Sequence, residues 1–199
     1  MDDAVMTDAV MTGGFSDPSI QSAWGFRAAM MAMARPGDIL AVSGAQAPGG
    51  VSVAASVLLL VLCDPETPVW LAPSHDSADL RRWIAFHTGA PVVATRGEAV
   101  FALGSWDSLV PLDGYRIGTA EYPDRSATLI VEMGALQGAG AVLTGPGIAD
   151  RARLTLPEVA AFRANRALFP LGLDFFFTSG DRLAALPRST VVADAAEVV

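Results

Sequence analysis

The run Asp174-Phe175-Phe176-Phe177 constrains this chain more than any other stretch. Successive side chains of a strand point to opposite faces. Three consecutive phenylalanines therefore leave no face for water, and the run belongs in the middle of a sheet covered on both sides. Its surroundings supply the turn chemistry. A proline-glycine turn leads into the apolar run Leu173 to Thr178, Ser179-Gly180-Asp181 reverses the chain, and Leu183 to Leu186 runs back before Pro187. This spacing predicts a β-hairpin. The rest of the chain has to cover both faces of the sheet that contains it.

The candidates for that cover lie upstream. Asp17-Pro18 is an N-cap followed by proline at the first helical position, and Ile20, Trp24, Arg27 or Ala28 and Met31 follow at helical spacing until Arg35-Pro36-Gly37 stops the helix. Asp38 to Val42 reads as a short strand and Ser43 to Gly50 as a loop. Ser52 to Cys63 is a helix apolar nearly all round, which predicts burial. A tight connection through Asp64-Pro65 leads to a strand at Val69 to Ala72. Ser77 to His87 reads as a helix with Leu80, Trp83, Ile84 and His87 on one face, closed by Thr88-Gly89.

Pro91 to Thr95 and Ala99 to Leu103 read as the strands of a hairpin about Gly97, and Gly104 to Asp124 as loop with one helical turn. Ser126 to Met133 and Ala141 to Thr144 are two further strands, and Pro157 to Leu168 is the last helix. The alternation predicts a three-layer α/β domain, a mixed sheet with helices on both faces. One domain is expected from residue 17 to 192. It follows an acidic, disordered tail over 1–16, in which Asp-Ala-Val-Met-Thr occurs twice, and precedes a short C-terminal tail over 193–199.

Composition adds a requirement. Of 199 residues, 52% are apolar and only 17% charged, against about 25% charged in ordinary soluble domains. So little polar surface predicts that another copy or another protein covers part of the outside. The net charge of -8 argues against a basic footprint for nucleic acid. The longest apolar run, Val51 to Cys63, falls short of the ~20 residues that a bilayer requires. The N-terminus lacks a basic region followed by an apolar core, so the expected setting is the cytoplasm, away from membranes. Cys63 stands alone, which excludes an intrachain disulfide and fits a small buried hydrophobe.

Several chemistries are excluded outright. All 13 basic residues are arginine, so there is no lysine to form a Schiff base or to complete a Walker A loop. One cysteine cannot hold an iron-sulfur cluster by itself. His75 in a loop and His87 on a helix make a poor start for a zinc site, so neither a metal nor a cofactor is expected.

The candidates that remain each have a bland counterpart. Gly145-Pro146-Gly147, with Arg151 and Arg153 close behind, offers N–H groups and guanidinium to a phosphate, or is simply a turn. His87 transfers protons, or caps its helix. Arg188 stands at a strand end, where such sheets put ligand groups and also where they meet water. Arg81 and Arg82 are a solvated face or a partner contact. Ser56 and Ser105 have no linked histidine and acid. With no self-sufficient catalytic apparatus, the residues favour a subunit over a stand-alone enzyme.

Several blocks in order then resemble one family. These are Phe86-His87-Thr88-Gly89-Ala90-Pro91, Leu143-Thr144-Gly145-Pro146-Gly147-Ile148, Phe169-Pro170-Leu171-Gly172-Leu173-Asp174 and Leu186-Pro187-Arg188-Ser189-Thr190, together with Phe26-Arg27 through Arg35-Pro36-Gly37 and Ser56 to Pro68. They look like the PhnH family, the H subunit of the bacterial carbon–phosphorus lyase core complex. The resemblance implies a fold like the type I pyridoxal-phosphate transferases with the cofactor site lost, and a homodimer working with the G, I and J subunits. It implies a non-catalytic or co-catalytic part in joining an alkylphosphonate to the ribose of MgATP, which yields ribose 1-phosphonate 5-triphosphate and releases adenine. It carries over no catalytic residue. The alternative is a phosphonate- or nucleotide-binding protein whose vestigial cleft is lined by arginine.

Overall fold

The computed structural model describes residues 10–197. Its frame is a six-stranded sheet in the order β1-β8-β7-β4-β3-β2. β2 (Val69–Leu71), β3 (Phe101–Ser105), β4 (Thr128–Glu132) and β7 (Asp174–Ser179) run parallel, while β8 (Arg182–Leu186) and the short edge strand β1 (Leu40–Ala41) add antiparallel pairings. The hairpin read from the sequence is present as β7 and β8, paired from Phe175↔Leu186 to Ser179↔Arg182. β7 lies between β4 and β8, and Phe175 and Phe177 are fully buried.

Alternation divides the three phenylalanines between two cores. Phe176 joins the cluster beneath α1 (Pro18–Ala34), α2 (Val53–Leu62) and α3 (Ala78–Thr88). Phe175 and Phe177 point to the other face, where Phe162 of α5 (Val159–Ala167) meets them edge-on at ring-centroid distances of 4.9 and 5.6 Å, and Trp106 of α4 (Trp106–Leu109) closes on Phe162 at 4.9 Å. The molecule is thus a mixed α/β protein with helices on both sides of a mixed sheet.

The caps form where the sequence puts them. The Asp17 side chain accepts from Ile20 N and that of Ser52 from Ala55 N, the Ser77 hydroxyl accepts from Leu80 N, and Gly89 ends α3 at φ +72°. α2 is buried from Ala54 to Leu59.

Three local expectations differ from the structure. Ala141–Thr144, now β5, leaves the main sheet and joins a separate antiparallel sheet in the order β6-β5-β9, with β6 (Ala152–Leu154) and β9 (Val191–Ala193). This small sheet lies over the α5 face, where Leu143, Leu154 and Val192 enter the second core. The hairpin about Gly97 does not form, because β2 lies between its two proposed arms. Val69 bridges Val92 on one side and pairs with Phe101 on the other. Gly97 instead sits in a 3-10 turn, Arg96–Glu98, closed by a capping box in which Thr95 N donates to Glu98 Oε2 at 3.3 Å, and the Thr95 hydroxyl donates to the same oxygen at 2.6 Å.

The third difference is in α1. Its inner face is Gly25, Ala29 and Ala32, so Ile20 and Trp24 point away from the core. A Cβ on Gly25 would stand 2.7 Å from Val57 Cγ1. The axes lie so close that only small residues fit between them. Ordered contacts begin before Asp17: Thr12 O accepts from Trp83 Nε1 at 3.0 Å and Gly13 O from Gln46 N at 2.8 Å.

Candidate functional site

The largest departure from a self-contained surface is the outer side of α1. Trp24 is 76% exposed, Ile20 57%, and Phe26 and Met30 52% each. Beside them runs β1, an edge strand that among the described residues pairs only with β8. Trp24 forms a ridge between two grooves. One, of about 650 Å³, is lined by Arg27, Met31, Arg35, Asp38 and Leu40, and the other, of about 500 Å³, by Ile20, Gln21, Ala41, Ser43 and Asp181. A protruding tryptophan between apolar hollows with a charged rim is the usual anatomy of a protein contact.

The residues singled out in the sequence are dispersed. Arg188 follows β8 and turns inward. Its Nη2 meets Asp174 Oδ2 at 2.5 Å, its Nη1 donates to Pro123 O at 2.5 Å, and Nη2 also donates to the Ser126 hydroxyl. Both side chains of the pair are largely buried, at 14% and 21% exposed. The guanidinium ties the loop before β4 to the start of β7.

Arg153 lies within β6 of the other sheet and Arg151 immediately before it, and both are exposed. Gly145-Pro146-Gly147 packs on the end of α1: a Cβ on Gly147 would stand 2.0 Å from Ala34 O, and its φ is +82°. Glycine is required there for close approach and for backbone shape.

His87 lies in the last turn of α3, half-buried, with its ring 4.7 Å from that of Trp83 and 4.9 Å from that of Phe86. Its Nε2 is buried and unpartnered, and Gly14 covers the ring so closely that a Cβ would come within 2.6 Å. Arg81 and Arg82 are paired locally, with Asp76 at 2.5 Å and Asp79 at 2.6 Å. The Arg81 hydrogen bond holds the Asp76 carboxyl below the usual range. These pairs are on the solvated face of α3.

Two features escaped the sequence reading. Glu132, at the C-terminal end of β4, accepts from Ser52 N at 2.7 Å, and Ser74 Oγ accepts from Ser105 N at 3.0 Å. Ligands of open α/β sheets bind at this rim, and here these polar groups satisfy one another. Arg96 spreads over the rings of Trp70 and Tyr115 at 4.8 and 5.4 Å and donates to the carbonyl oxygens of Ser108, Val110 and Pro111. Burial pushes the Tyr115 phenol up to about 12, against an opposing pull from Arg96. Nothing in the spacing of Arg96 marks it, since its carbonyl partners lie in α4 and the segment after it, more than ten residues on.

Fold and surface together define a mixed α/β protein that leaves one apolar helix face open to solvent. The family model described as "Bacterial phosphonate metabolism protein (PhnH)" matches residues 13–193, and the chain belongs to this family. It is 41% identical over 189 residues to the alpha-D-ribose 1-methylphosphonate 5-triphosphate synthase subunit PhnH of Rhizobium meliloti (strain 1021), covering 91% of this chain and 94% of that one. It is 31% identical over 175 residues to a chain of Stutzerimonas stutzeri provisionally named C-P lyase subunit protein HtxG, covering 83% and 82%.

Proposed function

We propose that the chain is a subunit of the protein system that builds ribose 1-phosphonate 5-triphosphate from MgATP and an alkylphosphonate, and that it acts through contact with other subunits. The observation that carries this reading is α1, whose Ile20, Trp24, Phe26 and Met30 are each more than half exposed. Apolar surface of this extent marks an interaction site. A homodimer across α1 and β1, with further contacts to the G, I and J subunits in the cytoplasm, gives that surface its cover.

The likeness to type I pyridoxal-phosphate transferases belongs to the same proposal. The parallel core of the sheet is in keeping with it, and a chain without lysine lacks the amine on which that cofactor forms its aldimine.

The test is co-expression of the tagged chain with the remaining phosphonate subunits of its source. The expected result is recovery in one complex at fixed stoichiometry, and a monomer that associates with none of them overturns the reading. A second reading, direct capture of a phosphonate or nucleotide, rests on Arg151 and Arg153. They are exposed and have no ion pair among the described residues, whereas Arg188 is committed to Asp174. Calorimetry with MgATP and methylphosphonate decides it: heat that is lost in the Arg151→Ala/Arg153→Ala double variant supports it, and no heat removes it.

A further inference from the structure

A third apolar hollow lies away from α1, between α5 and the loop over 110–117, with a volume of about 700 Å³. Val110, Pro111 and Ile117 form one wall, and Ala161, Ala164 and Leu168 the other. Both walls are fixed before anything binds. Arg96 holds the loop through its carbonyls, with Nη1 donating to Pro111 O at 2.7 Å. Asn165 holds α5 to the start of β7 through both ends of its amide: Nδ2 donates to Leu173 O at 2.9 Å, and Oδ1 accepts from Leu173 N at 2.8 Å.

The polar groups on the lining define what it accepts. The Tyr115 hydroxyl already donates to Leu109 O at 3.0 Å, and the Asn165 amide is in use. What remains is Asp113 and Glu158, both exposed, the second accepting from Trp106 Nε1 at 3.1 Å through one oxygen only. Two carboxylates over an apolar floor call for an occupant with apolar bulk and a cationic donor. They repel phosphonate and triphosphate groups, so this is not a place for those anions.

The apolar surface does not stop at the mouth. It continues over Leu168, 45% exposed, which a small cation would leave bare, to Phe169, 49% exposed, whose ring already carries the Arg166 guanidinium at 4.6 Å. From these features we infer that the groove between α5 and the loop 110–117 docks an apolar segment of another polypeptide carrying an arginine or a lysine. The inference rests on the proposed subunit role only for the source of that polypeptide.

Two arms test it. The first uses octylguanidinium, an apolar chain with the proposed cation, against octyl sulfate, and follows amide shifts at Ile117 and Ala161. The cation is expected to bind at the groove and to lose about tenfold in affinity in Asp113→Arg. Absence of binding, or equal binding of octyl sulfate, overturns the inference. The second arm co-expresses the Ala164→Trp chain, with its melting temperature checked against the parent, alongside the other subunits.

The tryptophan fills the groove from an exposed position and is expected to reduce recovery of the complex about tenfold relative to the parent chain. Full recovery overturns the assignment to a polypeptide and leaves the groove to a small organic cation. If the parent chain itself recovers no partner, the subunit reading fails, and the octylguanidinium arm still decides the chemistry of the groove.

Discussion

At the scale of the residue, Arg188 carries the most consequence. Asp174 accepts from its backbone N at 2.8 Å as well as from its guanidinium, so one carboxylate is balanced almost wholly by one residue. Removing a single partner of such a pair leaves a charge half out of water. Arg188→Ala is expected to cost about 3 kcal/mol, read from the urea midpoint. Arg188→Lys should recover only part of this, since an ammonium cannot serve Asp174, Pro123 and Ser126 together.

Tyr115 sets a limit at high pH. Its folded pKa is raised, so the neutral phenol is favoured in the fold. The stability it contributes is intact below about pH 10, the ordinary value, and is lost as pH rises toward about 12. Burial likewise pushes the Cys63 thiol up to about 12, with a smaller push from Asp64, so the two losses add. Urea midpoints measured across this range should fall, and Tyr115→Phe should flatten the fall. The place of Arg188 at a strand end was legible in the sequence. Its inward direction was not, because Ser126 and Asp174 come to it from distant segments.

At the scale of the element, start and stop signals were read well because they act within a few residues. Ser52 shows how much such a signal can hold. Its hydroxyl caps α2, and its own N–H donates to Glu132 at the end of β4. Ser52→Ala removes the cap alone, and a loss of about 1 kcal/mol in chemical unfolding is expected.

α1 was harder, since apolar residues lie on more than one side of it and their size misleads. The small set Gly25, Ala29 and Ala32 faces α2, and the large set faces out. Spacing alone does not tell a close helix crossing from a distant one. Trp24→Glu places a charge on the outer ridge without touching the core. It is expected to convert a dimer to a monomer in light scattering while leaving the melting temperature of the monomer unchanged. Two short strands were also out of reach: β6 and β9 have three residues each and acquire their identity only by pairing with β5.

At the scale of the whole molecule, the layer order followed from the phenylalanine run, and the division of that run between two cores follows from strand alternation. The second sheet did not, because β9 reaches β5 from a segment that lies beyond α5, β7 and β8 in the chain. Cys63 gives a readout at this scale. It is 6% exposed within the core under α1, α2 and α3, and burial keeps the thiol protonated. Labelling by a thiol reagent at neutral pH should therefore proceed no faster than unfolding, and fast labelling of the native protein would contradict this packing.

The strand order also bears on synthesis. β7 and β8 fill the gap between β4 and β1, yet they are encoded after every other strand of the main sheet. Until Asp174 to Leu186 leave the ribosome, β1 has no neighbour, β4 has one edge open, and α2 lacks the strands on which it packs. Until this hairpin emerges, the nascent chain therefore carries its most apolar helix only partly covered, by α1 and α3. This is the interval in which a chaperone is of most use to it.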